Sequence, residues 1–365
     1  MIEVSQLAST RLDLEGLKRR VWRVSHSWNS VKSLQIALKA FQRYLSPKTL
    51  EDALNLDPYG TIDGFIGWLD EAGYRSSTQR SFVYFIKKFY TYHGVHIDRE
   101  KFKDQVCLPK PQVFEDGALT TEDARRIILE CHHTTLRALI TLIKDTLARP
   151  EELISLRLEH INLAHDPPYL TIPAYASKND LPREAFFTNE TKEFLIAHLK
   201  RRKITQPNQY IFLTNRRPLD PIGNEAEFQR AVEDKQKNLR VVWYYLLKTR
   251  LPDLYQKVEQ RGVKTRYRIH IYSWKKYGFT KIADTLGELA AHAIAGHKAY
   301  LITYYKKTRE ERAQDFKKVA PKLQLLQREE QEEEKMKKEL IAAVEALPKE
   351  GLAEILKIAK SLLKG

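Results

Sequence analysis

The sequence lacks several features that mark common protein classes. It has two cysteines, Cys107 and Cys131, which are too few for a disulfide framework and have no metal-binding partner at short spacing. No apolar run approaches the length of a membrane-spanning helix, and the first residues lack the basic-then-apolar pattern of a signal peptide. We therefore expect a cytoplasmic protein.

Motifs for phosphate and metal chemistry are missing as well. The chain has no Gly-rich phosphate loop, no internal repeat and no clustered set of Asp and Glu of the kind that holds catalytic magnesium. From the sequence we therefore expect neither a bound metal nor another cofactor.

Positive charge, in contrast, is in excess. The 62 Lys and Arg residues outnumber the 47 Asp and Glu residues, which gives a formal net charge of +15 at pH 7. Such an excess favours nucleic acid as the partner. A membrane surface is the rival partner, but no apolar run is long enough for a spanning helix, so we expect no membrane partner. At 365 residues the chain is long enough for two domains, each with its own core.

The first part of the chain, residues 1–110, has helical periodicity throughout and predicts a helical domain. In one of its helices we expect Ser77 or Thr78 as the N-cap and Gly94 as the C-terminal stop. The apolar stripe of this helix, which we interpret as core, consists of Phe82, Phe85, Ile86 and Phe89. The cations that lie off the stripe and are candidates for DNA contact are Arg80, Lys87 and Lys88, with Lys110 in the following linker.

The second part of the chain follows a boundary at residues 108–117, a segment with prolines and no periodicity. A helix capped by Thr120 comes next, and later helices are expected at residues 190–202 and at about 225–258. We assign residues 111–310 to a second domain and residues 311–365 to a charged helical tail that ends in an apolar stripe.

One stretch of this second domain, residues 142–162 (LIKDTLARPEELISLRLEHIN), combines an apolar helical pattern with an intruding cation, Arg149. Pro150 favours the first position of a helix, so we expect Arg149 at the turn before that helix. Glu152 lies one turn on, where it can brace the guanidinium. A planar set of donors at a helix start suits a phosphate. The alternative is a buried Arg–Glu pair with a structural role only.

A β-hairpin and a basic segment complete the pattern. Residues 169–175 and 183–188 read as two strands joined by a KNDLP turn. Lys178 is at the tip-side end of the first strand. Arg183, across the hairpin, is a further candidate for DNA contact and the alternative to Lys178 in the site. Further on, residues 266–307 are dense in Arg, Lys, His and Tyr.

The order of these features resembles that of the tyrosine recombinase (integrase) family over residues 25–310, approximately. The strongest matches are TLARPEELISLRLEHIN, which is similar to the Arg-containing box of the family, and AGHKAYLITYYKK, which is similar to its nucleophile box. The resemblance implies the tyrosine recombinase fold, which is mainly α-helical: an N-terminal helical core-binding domain, then a helical catalytic domain with a small β-hairpin or sheet.

The resemblance also implies phosphoryl transfer in which fixed cations take the role that magnesium has elsewhere. Arg149 is expected to bind two oxygens of the scissile phosphate, and Lys178 to protonate the departing 5′ oxygen. Lys178 could instead contact only a backbone phosphate. His297 is expected to donate to the phosphate or to assist proton transfer. The implied catalytic set, supported by Glu152, is Arg149, Lys178, Tyr272, Lys275, His297 and Tyr305.

The second basic motif departs from the family, in which a His is followed three residues later by an Arg. Here Tyr272 and Lys275 stand at these positions, and Lys275 lies 22 positions before His297, which is close to the separation in the family. A Lys keeps the charge and loses the bidentate fork. Some archaeal integrases are similarly divergent, so we interpret this as a substitution. The alternatives are Lys276 or His270 in the motif, and Tyr272 as a packing residue.

The nucleophile is the second departure from the family. Tyr305 lies eight positions after His297, one fewer than usual, and Tyr304 is adjacent. On a helix the two side chains point about 100° apart. We favour Tyr305, which would attack phosphorus and form a 3′-phosphotyrosyl bond.

The sequence therefore predicts a site-specific DNA recombinase that integrates or excises a mobile element, with duplex attachment sites as partner and four protomers in the synaptic assembly. One alternative is a nicking-closing enzyme of the type IB topoisomerase kind, which uses the same chemistry without synapsis. The other is a non-catalytic DNA-binding protein derived from an integrase, since the second basic motif is altered.

Overall fold

The computed structural model describes residues 12–25, 27–111, 117–177, 181–216, 219–258, 266–297 and 307–326. Its contacts divide the chain into two compact units, residues 1–115 with 257–267 and residues 116–256 with 268–365. The described part is mostly helical and contains a small three-stranded antiparallel sheet, which confirms the predicted fold class. The predicted domain limits at residues 110 and 310 stay predictions.

The elements are as follows. The helices are α1 (Leu14–Ser25), α2 (Trp28–Leu45), α3 (Leu50–Ala53), α4 (Pro58–Glu71), α5 (Ser76–Tyr92), α6 (Arg99–Gln105), α7 (Thr121–Glu130), α8 (Thr134–Thr146), α9 (Pro150–Ile154), α10 (Asn189–Arg202), α11 (Glu225–Arg250), α12 (Ser273–Leu286), α13 (Glu288–Ile294) and α14 (Arg309–Leu323). The strands are β1 (Ile161–Asn162), β2 (Tyr169–Ile172), β3 (Arg183–Phe186), β4 (Lys257–Val258) and β5 (Arg266–Tyr267).

The first unit is built around aromatic side chains from α2, α4 and α5. Phe41 meets Phe65 edge-on, with 5.0 Å between the ring centroids. The predicted stripe of α5 is buried, as its helical spacing indicates. The predicted cap of this helix is wrong. The N-cap is Arg75, which has an extended backbone, and α5 starts at Ser76. Ser77 and Thr78 therefore lie inside the helix, and no side chain caps it. The predicted stop is confirmed, since Gly94 follows α5 with φ +85°.

The second unit is built around α8, whose last nine residues are all buried. Helices α10 and α12 pack on it. A Cβ atom on Gly278 of α12 would lie 1.9 Å from the carbonyl oxygen of Lys144, so only glycine permits this close crossing. The predicted cap of α7 is confirmed, because the Thr120 side chain accepts the Asp123 N–H.

Helix α11 is shorter than predicted. It ends at Arg250 and not near residue 258, because Pro252 disfavours the helical backbone at Leu251. After a turn of 3₁₀-helix the chain forms β4, which pairs with β5.

The predicted hairpin is present as β2 and β3, paired antiparallel with Ile172 opposite Arg183. A short strand that was not predicted, β1, extends it to the order β1-β2-β3. Side chains alternate along β3. Glu184 and Phe186 face α14, where Glu184 binds Arg309 and Arg312 and Phe186 packs on Phe316.

The predicted tail begins with a helix that packs on the core of the second unit. Phe316, Val319 and Leu323 of α14 are buried against α8 and α12. Just after α14, Glu190 Oε2 accepts the backbone N–H groups of Leu325 and Leu326 at 2.8 and 2.7 Å. The apolar stripe near the chain end lies outside the described residues.

Candidate active site

The turn between α8 and α9 presents Arg149. Leu147 ends α8 with a left-handed φ of +53°, and Arg149 has an extended backbone that lets Pro150 open α9, as predicted. The buried helix α8 thus delivers a cation whose side chain is 18% exposed. Because α8 is packed on all sides, the position of this turn is fixed by the core.

The Glu152 carboxylate lies beneath this arginine and is 1% exposed. It accepts the Arg149 backbone N–H at 2.7 Å and Arg149 Nη1 at 3.1 Å. Burial acts to raise the pKa of Glu152, but the hydrogen bonds and charge of Arg183 and Arg149 outweigh it, so the pKa is lowered. Glu152 is therefore ionised, and it braces Arg149 as predicted from the sequence.

Arg183, on β3, binds the same carboxylate from the sheet side. Its Nη1 and Nη2 donate to the two oxygens of Glu152 at 3.2 and 2.6 Å, which is a bidentate pair. The side chain is 14% exposed. Two guanidinium groups from distant parts of the chain thus meet on one carboxylate.

Lys275, in the first turn of α12, brings a third cation and is 3% exposed. Its ammonium has no hydrogen-bond partner among the described residues. Burial, followed by the charge of Arg149, lowers the pKa of Lys275 to about 8. In the described part of the chain, this lysine is thus a buried donor without a hydrogen-bond partner, within reach of the Arg149 and Glu152 charges.

His297 lies in the turn after α13. Gly296, with φ +66°, reverses the backbone there, and the Nδ1 atoms of His292 and His297 are 2.7 Å apart. One of these nitrogens donates and the other accepts, so the two rings share a proton between them. Burial, and then the positive charges of Lys275 and the neighbouring cations, lower the pKa of His297. The imidazole is therefore neutral at pH 7.

Some of the remaining predicted residues are described by the structure, and the others lie outside the described part of the chain. Tyr272 precedes α12 and is 40% exposed, with its ring centroid 5.9 Å from Lys275 Nζ. Lys276 is exposed, unlike Lys275. The rival residue His270 bonds Ser273 through Nδ1 at 3.2 Å, at the start of α12. The predicted site residues that lie outside the described part of the chain are Lys178, Tyr304 and Tyr305.

The predicted DNA contacts of the first unit lie on its surface. Arg80 is exposed and donates to the Pro109 carbonyl at 3.0 Å, and Lys110 is exposed. Lys87 lies 3.7 Å from the ring centroid of Phe102, and Lys88 lies 5.0 Å from that of Tyr84. The ammonium nitrogens of these lysines lie over aromatic rings, and their roles in DNA binding stay predictions.

Among the described residues, the guanidinium groups of Arg149 and Arg183 bind the buried carboxylate of Glu152. The Lys275 ammonium is close enough for its charge to interact with Glu152 but is not bonded to it, and the neutral His297 adds a further polar group. Buried cations without a compensating anion are costly. The arrangement is therefore suited to an anion with several oxygen acceptors, such as a phosphate diester.

Two other features, a metal site and a membrane-spanning helix, are absent from the described residues. No group of three or more His, Cys, Asp or Glu side chains is placed there to hold a metal ion. In the same ranges, no helix has both the length and the apolar character needed to cross a bilayer.

Comparison with solved structures identifies the fold. The chain is similar to the XerH site-specific recombinase bound to difH substrate in a pre-cleavage complex, with a TM-score of 0.52, 14% identity, and coverage of 85% of this chain and 83% of that one. The fold is that of the tyrosine recombinases. A lambda integrase (75–356) dimer bound to a COC′ core site also matches, with a TM-score of 0.49, 16% identity, and coverage of 81% and 96%. No protein-family model and no curated protein matches the chain.

Within the tyrosine recombinase fold, the contact that the sequence did not indicate is that of Arg183 with Glu152. The DNA contact predicted for Arg183 stays a prediction. The sequence from Arg183 onward, REAFFT, has no alternation of polar and apolar residues that would indicate which face of β3 meets α9. That face depends on tertiary packing.

Proposed function

We propose that the protein is a tyrosine-type site-specific DNA recombinase that cuts and rejoins duplex DNA through a 3′-phosphotyrosyl intermediate. The observation that carries the proposal is the convergence of Arg149, Arg183 and Lys275 around the single buried carboxylate of Glu152. His297 is close enough for their charges to affect its pKa. Eight positions later in the sequence stands Tyr305, in the segment that resembles the nucleophile box of the family.

The chemistry follows from this charge. The Tyr305 oxygen attacks phosphorus, the bond from phosphorus to the 5′ oxygen breaks, and negative charge grows on the non-bridging oxygens. Arg149 and Lys275 lie where they stabilise that charge through fixed donors, an effect worth about 100-fold or more per donor. The neutral imidazole of His297 can accept the tyrosine proton, and Lys178 would give a proton to the leaving 5′ oxygen. Reversal of these steps on another strand rejoins the DNA.

The proposed partner is double-stranded DNA carrying attachment sites. The net charge of +15 favours phosphate contacts, and Arg80, Lys87, Lys88 and Lys110 of the first unit are the proposed backbone contacts. The XerH neighbour is bound to difH, and another lambda integrase structure is a tetramer bound to a Holliday junction. By analogy we propose a synaptic tetramer that integrates or excises a mobile element, acts on DNA in the cytoplasm, and is of the divergent archaeal kind.

One observation favours a second candidate, a DNA-binding protein without cleavage activity. The family's His and Arg of the second basic motif are Tyr272 and Lys275 here, so one bidentate fork is lost from α12.

Trapping of covalent protein–DNA adducts separates the two. The full chain is incubated with randomised duplexes that carry nicks, which prevent rejoining, and denaturant-resistant adducts are recovered and their DNA sequenced. The recombinase proposal expects adducts at a defined sequence. Binding without adducts would contradict it. With the sequence known, strand exchange between two labelled duplexes distinguishes recombination from simple nicking and closing.

A further inference from the structure

We propose that Arg183 is a second guanidinium on the scissile phosphate, and that it supplies from β3 the fork that α12 lacks because Lys275 stands there. The inference rests on the proposed function, since it names a further phosphate contact at the same site. It assigns to a strand residue a role beyond bracing Glu152.

The hydrogen-bond capacity of Glu152 is the first argument. A carboxylate has about four lone-pair sites. Glu152 accepts four hydrogen bonds, two from Arg149 and two from Arg183. The carboxylate is therefore saturated, and it has no lone pair left for the remaining donors of either arginine.

The unused donors of Arg183 are the second argument. Of its five N–H groups, two point to Glu152. Its Nε is buried and has no hydrogen-bond partner among the described residues. A purely structural brace would leave this donor unsatisfied at a cost of about 1–3 kcal/mol. An incoming phosphate oxygen would satisfy it.

The location of Arg183 relative to the other cations is the third argument. Its charge, like that of Arg149, depresses the pKa of both Lys275 and His297. Arg183 is therefore within electrostatic reach of the same two groups as the arginine that the family resemblance assigns to the phosphate. Its guanidinium also lies against Gly296, the residue before His297.

The structure therefore holds Arg149 and Arg183 as a pair, one on each side of Glu152. A phosphate above that carboxylate would meet two planar forks and one ammonium. The fixed carboxylate keeps both forks in place before the substrate arrives, so little reorganisation is needed when charge develops.

The test removes the negative charge of the scissile phosphate. Full-length wild type and the Arg183→Ala variant are compared in single-turnover cleavage of the nicked site recovered above, with either a normal phosphodiester or a methylphosphonate at the scissile position. A methylphosphonate carries a methyl group in place of one non-bridging oxygen and is neutral. It therefore no longer needs a cation that balances that oxygen.

For a phosphate contact we expect Arg183→Ala to lower phosphodiester cleavage by about 100-fold or more, and methylphosphonate cleavage by no more than about tenfold. Arg149→Ala should likewise lose much less cleavage activity on the methylphosphonate than on the phosphodiester. Equal losses on both substrates, or no loss on either, would overturn the proposal, because a brace for Glu152 is needed whatever the charge of the substrate.

Arg309→Ala is the matched control. This arginine also pairs with a glutamate of β3, Glu184, but on the face toward α14. We expect any loss it causes to be the same on both substrates. If Arg309→Ala lost less cleavage activity on the methylphosphonate than on the phosphodiester, the assay would not report phosphate contact. That result would overturn the inference drawn from Arg183.

A second measurement decides the phosphate contact if wild type forms no adduct, the outcome that defeats the proposed recombinase. Melting temperatures of wild type, Arg183→Ala and Arg309→Ala are compared in inorganic phosphate and in chloride at equal ionic strength. If Arg183→Ala loses the phosphate-specific stabilisation and Arg309→Ala keeps it, the anion contact is supported. Equal stabilisation of the two variants would overturn it.

Discussion

Gly296 lies against the guanidinium of Arg183: a Cβ atom on Gly296 would be 2.9 Å from Arg183 Nε and 3.0 Å from its Cδ and Cζ. The turn that carries His297 and the arginine on β3 are thus in direct contact. We expect a shift of one to displace the other, because there is no space between them for even one methyl group.

Gly296→Ala tests this coupling. The variant adds a methyl group where there is no room, and the left-handed backbone destabilises an alanine there by about a further 1 kcal/mol. We expect a modest loss of stability and a large loss of DNA cleavage, with DNA affinity little changed. Thermal unfolding, equilibrium binding and single-turnover cleavage measure the three quantities.

Gly94→Ala is its control. Gly94 also follows a helix with positive φ, but a Cβ atom there meets nothing within 4 Å. It should show a similar loss of stability and keep its cleavage rate. If both variants cleave equally well, the contact with Arg183 has no role in the reaction.

The buried ammonium of Lys275 makes the stability of the protein depend on pH. Its pKa is lowered from 10.5 to about 8, so below pH 8 the folded protein pays to keep a charged group buried. Since the unfolded chain binds the extra proton between these two values, this cost is relieved as the pH rises from about 8 to 10.5. Lys275→Met should therefore stabilise the protein at pH 7 by about 3 kcal/mol, and this advantage should shrink above pH 8.

Urea unfolding at several pH values measures this effect. Lys276→Met, at the exposed neighbouring position on α12, should show no such advantage. A Lys275→Met variant that is less stable than wild type at pH 7 would mean that the ammonium has a partner that stabilises it. In either case the variant should cleave DNA poorly.

The chain after α14 is held by Glu190, which is 3% exposed. One of its oxygens accepts two backbone N–H groups, and Lys144, paired with Asp145 at 2.6 Å, lies 3.7 Å from the other. Removing one charge from such a buried cluster costs roughly 3 kcal/mol. We expect Glu190→Gln to destabilise the protein and to speed amide hydrogen exchange at Leu325 and Leu326.

Hydrogen exchange read by mass spectrometry checks this prediction. Glu193→Gln, at an exposed position of the same helix, is the control and should leave exchange unchanged. Equal protection in both variants would mean that packing of α14 alone holds this segment.

Arg149→Ala should reduce cleavage by at least about 100-fold, because a donor to the developing charge is lost. DNA binding should be largely intact, since one phosphate cation among many contributes little to affinity. Arg157→Ala is the control on the same stretch, because this arginine bonds Tyr210 and Glu159 away from the site. Covalent adducts formed by Arg149→Ala at nearly the wild-type rate would mean that Arg149 is structural.

Much of the fold could be predicted from local sequence. Local sequence predicts α5 and α10 within a few residues, and turn residues predict the hairpin of β2 and β3. Two features were not predicted for local reasons. Strand β1 has only two residues, too few for a recognisable pattern, and Pro252 ends α11 earlier than its periodicity suggests. The cap of α5 was missed because its backbone starts without a side-chain bond.

The site was predictable only in part. Arg149 and Glu152 are three residues apart on one helix start, so their pairing follows from helical geometry. Arg183 lies 31 positions from Glu152, and nothing local indicates which face of the strand carries it inward. The burial of Lys275 and the exposure of Lys276 likewise depend on the packing of α12 against α8.

Mapping of the DNA-linked peptide tests the central claim most directly. An adduct trapped on a nicked site is digested with protease and nuclease, and the modified residue is found by tandem mass spectrometry. Tyr305→Phe, which removes one oxygen and almost no volume, should bind DNA normally and form no adduct. We predict a phosphodeoxynucleotide on Tyr305; one on Tyr304 would move the assignment and keep the mechanism. DNA on neither tyrosine, with both Phe variants fully active, would contradict the recombinase account.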